Sequence, residues 1–145
     1  MKVTMTLSGQ DKLARRLGHL QARIERAARG AIQVSAEELR DEAREALERG
    51  PATARRPEAM GRRAEESAAV AGSLFVEIDD DGLGARVGTA LEAGRDLEFG
   101  TRETPARPFL YPSFEHLKPR MTRRLAEAVG KALKQHGPGR GRGRT

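Results

Sequence analysis

The residues able to do chemistry in this chain are few, and their spacing argues against catalysis. His19, His116 and His136 lie in three separate contexts, none forms an i,i+4 pair, and the chain has no cysteine to complete a zinc-type site. Glu92, Asp96 and Glu98 gather three carboxylates in a short segment, but the sequence sets no nucleophile or base beside them. Asp79-Asp80-Asp81-Gly82 is too compressed for a calcium loop, which spreads its ligands over about a dozen residues and ends on a carboxylate. There is no GxSxG elbow and no phosphate-binding glycine loop between a strand and a helix. The expectation is a non-enzyme with no catalytic, cofactor-binding or metal-binding residue and no cofactor.

Arginine carries the remaining signal. Arg55, Arg56, Arg62 and Arg63 fall in an aperiodic stretch at about 50–67, and Arg140, Arg142 and Arg144 alternate with glycine in the tail 137–145. The net charge of +6 and the pI near 10.4 suit an anionic partner. A flexible Gly/Arg tail can follow a phosphate backbone without reading bases. These arginines are candidates for contacting DNA or a protein partner. The plainer alternatives are a solvated loop and a solubilising tail.

The elements that position these groups follow from periodicity. Val3, Met5 and Leu7 alternate with polar residues, a short strand, and Ser8 is placed to cap a helix with Asp11 in its first turn. From Gln10 to Arg49, Leu13, Leu17, Leu20, Ile24, Ala27, Ala31 and Val34 recur at three and four residues. That spacing predicts one long amphipathic helix, or two bent near Gly30, stopped by Gly50-Pro51. Two prolines, two glycines and four arginines make 50–67 a mobile basic loop. From 68 to 78 the pattern turns β-like, Asp81-Gly82 signals a turn, and Leu83, Ala85, Val87 and Thr89 return as the second strand of a hairpin. Leu91–Phe99 fits either a short helix or a third strand. A last helix runs from about Pro112 to Gln135 with Phe114, Leu117, Met121, Leu125, Val129, Ala132 and Leu133 on one stripe, and Pro119 should bend it or mark its start.

The fold class expected is α+β: a long N-terminal helix and a C-terminal helix packed on a small antiparallel hairpin. It forms a single domain over 1–136, followed by a disordered basic tail. The hydrophobic fraction of 37% with only 3% aromatics allows a thin aliphatic core, with apolar surface left for other subunits. No stretch reads as a signal peptide or a membrane span, so a soluble protein made in the cytoplasm, with no membrane partner, is expected.

The scarce aromatics concentrate in one place. Glu98–Pro112 holds three of seven prolines, two of four phenylalanines and the only tyrosine. Pro105 and Pro108 fix their own φ and push Thr104 and Arg107 toward extended backbone. The segment is therefore a stiff connector that offers Phe109 and Leu110 for burial.

Glu98, Phe99, Gly100 and Thr101, followed by Pro105, Ala106, Arg107, Pro108, Phe109 and Leu110, resemble the "(V/L)EFGT…(M/K)PARPFLRPA" signature of the gp-ten-like tail-component family of long-tailed bacteriophages. Tyr111-Pro112-Ser113 is close to the usual ending, and the order of elements agrees over roughly 5–135. The chain departs from the family before the hairpin. Where the family has an "AP-x-x-TG-x-L-R-x-S" segment, it carries Gly50-Pro51-Ala52-Thr53 and an Arg-rich stretch.

The resemblance implies a structural virion protein of the head–tail junction, a neck-ring or tail-completion subunit assembled in the bacterial cytoplasm. Its implied partners are copies of itself in a ring, adjacent head-connector and tail-terminator or tail-tube proteins, and DNA in the central channel. Versions in phages, prophages and gene transfer agents are all compatible with the Arg- and Ala-rich composition. The rival reading from the residues is a stand-alone, non-specific nucleic-acid-binding protein.

Overall fold

A computed structural model of the chain describes residues 9–49 and 57–135. The strand expected at 1–7, the cap at Ser8, the stop at Gly50-Pro51, Arg55, Arg56 and the tail 137–145 lie outside them. The element order is α1 (Gln10–Glu48), α2 (Pro57–Ser73), β1 (Phe75–Ile78), β2 (Ala85–Gly88), α3 (Glu92–Phe99) and α4 (Leu110–Lys134). The fold is α+β, mostly helical, with a two-stranded antiparallel sheet.

α1 is a single helix of 39 residues that runs through Gly30. Gly9 holds its N-cap position, and Asp11 lies in the first turn, where the helix dipole favours an anion. α4 lies antiparallel along α1: His116 meets Glu42, Arg120 and Arg124 meet Glu38, and Gln135 meets Arg23. Pro119 sits exposed inside α4, which starts at Leu110, nine residues before it. The helix thus accommodates a proline whose ring faces water, at the cost of one ladder hydrogen bond.

Of the basic loop expected at 50–67, the part from 57 on is corrected by α2, which occupies Pro57–Ser73, while 50–56 lie outside the described residues. A proline opening a helix costs nothing, because the first N–H groups have no intrahelical partner. From Gly61 on, where burial is described, the buried residues of α2 are Ser67, Val70 and Ala71. Residues this small gave no visible apolar period. The β-like reading from 68 is corrected in the same way: β1 begins only at Phe75, and Leu74 is a buried connector between helix and strand.

The hairpin pairs Phe75 with Gly88 and Ile78 with Ala85. Its loop closes as the aspartates suggested. Gly82 takes φ 71 and donates its N–H to the Asp79 carbonyl at 2.8 Å, and the Leu83 N–H donates to Asp81 Oδ1 at 2.8 Å. Arg29 of α1 donates through Nε to the Asp81 carbonyl at 2.7 Å, which ties the loop to the long helix. Leu91–Phe99 resolves as helix, not strand.

The core gathers where the helices converge. Ala43 and Leu47 of α1, Val70 and Ala71 of α2, Leu74, Leu97 of α3 and Phe109 form one buried cluster, with Ala46, Ala93 and Leu110 against it. A two-stranded hairpin is marginal alone, so this helical cluster has to support it. Among the described residues no helix is long and apolar enough to cross a membrane.

Candidate assembly site

The segment from Glu98 to Leu110 sits at the meeting point of the four helices, and its backbone shape starts with Gly100. This residue takes φ 76, and a Cβ there would lie 2.6 Å from the Ala106 nitrogen. Only glycine fits such an approach in the left-handed region. The following turn is self-bonded: Thr101 N–H donates to the Thr104 carbonyl at 2.8 Å, and Thr101 Oγ1 accepts from Glu103 N–H at 3.3 Å. The chain then returns alongside α3, where Arg107 N–H donates to the Leu97 carbonyl at 2.6 Å. Pro105 and Pro108 are exposed, so their part is stiffness rather than packing.

Two charged side chains of the segment act on helix ends. The first N–H groups of a helix have no partner within it, and Phe109, at the N-cap of α4, has no side-chain acceptor. Glu98 supplies the acceptor from α3. Its Oε2 accepts from Phe109 N–H at 2.8 Å and Leu110 N–H at 3.0 Å, and its Oε1 accepts from Tyr111 N–H at 3.0 Å. The negative carboxylate also meets the positive end of the α4 dipole. Arg107 works at the opposite kind of end, donating through Nη2 to the Leu47 carbonyl at 3.1 Å and through Nη1 to Ser67 Oγ at 2.9 Å. Burial, and then the nearby Arg63 guanidinium, push the Arg107 pKa below its ordinary value.

Among the described residues, Phe109 is the one aromatic ring in the core cluster, at 3% exposure, and Leu110 is half-buried against it. Ser113 Oγ donates to the Phe109 carbonyl at 2.6 Å. Phe99 behaves differently. It is 77% exposed, and with Tyr111 at 65% it leaves two aromatic rings of the segment facing outward.

The remaining predicted residues divide. Arg63 donates to the Pro105 carbonyl at 3.3 Å, which ties it to the connector, whereas Arg62 is exposed. Glu92 and Asp96 are exposed on α3 while Glu98 turns to α4, so the three carboxylates do not converge. Among the described residues no group of three His, Asp or Glu side chains is placed to hold a metal ion.

One feature escaped the sequence. An open groove of about 980 Å³ runs between α1, the hairpin, α3 and α4, with Leu39, Leu83, Phe99, Phe114, Met121 and Leu125 among the side chains lining it. Phe114 and Leu125 are each 38% exposed. The α4 stripe is therefore split: Leu117 and Ala132 bury against the fold, while Phe114 and Leu125 face the groove. The exposed half was visible only as excess width of the apolar stripe.

Compared with protein-family models, curated proteins and solved structures, the chain matches none.

Proposed function

We propose that this chain is a structural virion protein of the head–tail junction, a neck-ring or tail-completion subunit of a phage or phage-like gene transfer agent. The observation that supports the reading is the use made of Glu98–Leu110. The residues that resemble the neck family form the joint of the fold, and their charged groups are spent on two helix ends. The surface left over is an apolar groove, which suits contact between subunits better than capture of a polar substrate. The work of such a subunit is assembly: copies form a ring, adjacent rings stack on it, and DNA passes through the middle.

The test is to delete the gene from its phage or particle-producing host and image the particles. The expected result is heads and tails that fail to join, or joined particles that leak DNA, with rescue by the gene in trans. Complete, DNA-transferring particles with normal necks would sink the reading.

A further inference from the structure

α1 carries a second uncovered apolar surface. Gln135, just beyond α4, meets Arg23, so α1 continues about 20 Å past the end of α4 at ~1.5 Å per residue. On this arm Leu13 is 59% and Leu17 56% exposed, with Leu20 and Ile24 on the same face. These leucines leave apolar surface in water at the end of α1, so the arm gains from a partner that covers them.

We infer that the α1 arm of one copy docks in the groove of the next, its Leu13/Leu17/Leu20 face seated among Leu39, Phe114 and Leu125. Such a contact is helix-in-groove recognition, and joining two different surfaces of one chain makes it head-to-tail. The inference deepens the ring reading above and rests on it only for closure of the ring.

Charge argues for this occupant. The arm carries Lys12, Arg15, Arg16 and Arg23 against Asp11 alone. The hairpin loop at one end of the groove exposes Asp79, Asp80 and Asp81 beside Leu83. Arg95 and Lys118 also line the groove, which confines the acidic match to the hairpin end and gives the contact a direction. The chain's own segments fit less well. Residues 136–145 and 50–56 offer no apolar side chain larger than alanine or proline. Residues 1–8 join α1 near Gln10, about 30 Å along the helix from Ala31 at the groove, and eight residues at ~3.4 Å each reach only about 27 Å, short of that span.

The experiment uses the purified full chain, with mass measured by sedimentation and light scattering at tens of micromolar. Leu17→Glu alters the arm and Leu125→Glu alters the groove. The wild type should form an oligomer, and each variant alone should be a monomer with association weakened at least ten-fold. Mixing the two variants should give one-to-one pairs and nothing larger, because one intact arm meets one intact groove. A monomeric wild type, a variant that assembles like the wild type, or a mixture that fails to pair would each overturn the inference. Circular dichroism checks that the variants keep their helix content. If either loses it, single-cysteine versions decide, since the chain has no native cysteine. Leu17→Cys and Leu125→Cys should cross-link to each other under oxidation, and cross-links formed only between like variants would overturn the contact. These outcomes concern purified protein, so a failed arm–groove contact and a dispensable neck role are told apart.

Discussion

The guanidinium of Arg107 donates to the backbone carbonyl of Leu47 at 3.1 Å, and its other nitrogen reaches Ser67 Oγ at 2.9 Å. One side chain thus closes the end of α1 and holds α2 beside it. Arg107→Lys keeps the charge but loses the planar fork that spans both acceptors. Stability should fall by about 1–2 kcal/mol, read as a lower urea midpoint at unchanged slope.

Among the described residues, Phe109 supplies the only ring in a core cluster otherwise made of Ala, Val and Leu. Phe109→Ala should cost about 3–5 kcal/mol by leaving a cavity that its small neighbours cannot fill. Phe109→Asp adds an unpaired buried charge, and the soluble folded chain should be lost in expression and circular dichroism.

Glu98 accepts three N–H groups at the start of α4. Glu98→Ala should lower stability by about 1–2 kcal/mol. Amide hydrogen exchange should locate the effect at Phe109, Leu110 and Tyr111. Unchanged protection there would mean the carboxylate is not the cap.

Gly100 at φ 76 has no room for a Cβ beside Ala106. Gly100→Ala combines an unfavourable backbone region with a close backbone contact, and should cost at least ~1–2 kcal/mol in thermal or urea unfolding.

Glu38 pairs with both Arg120 at 2.6 Å and Arg124 at 2.7 Å, but the two arginines are not equivalent. The Arg120 side chain is 64% exposed; that of Arg124 is 26% exposed and also donates to the buried Ser35 hydroxyl at 2.9 Å. Arg120→Ala should change stability by less than ~0.5 kcal/mol, whereas Arg124→Ala should cost about 1–2 kcal/mol. Equal effects in parallel urea titrations would contradict this ranking.

Much of the architecture was legible because its signals are local. The three- and four-residue spacing of Leu13 through Leu47 predicts α1, and Asp81-Gly82 predicts the hairpin turn. α2 was not legible: from Gly61 on its buried residues are Ser67, Val70 and Ala71, and a helix that buries small residues produces little contrast between its faces. The prolines and glycines near it then read as a loop. Leu74 misled for a related reason, since alternation with Val76 and Ile78 fits a strand, yet its burial comes from the helical core.

The connector shows the same division. By itself the sequence determined that Glu98–Pro112 is stiff, holds most of the chain's aromatic rings and joins the hairpin region to α4, because proline geometry and residue type act locally. Only the tertiary structure decided that Glu98 caps α4, that Arg107 closes α1, and that Phe109 is buried while Phe99 is not. Those roles depend on helix ends brought together from distant parts of the chain. The groove belongs to the same category: the α4 stripe states how much apolar surface exists, but which part a neighbouring helix covers is set by packing.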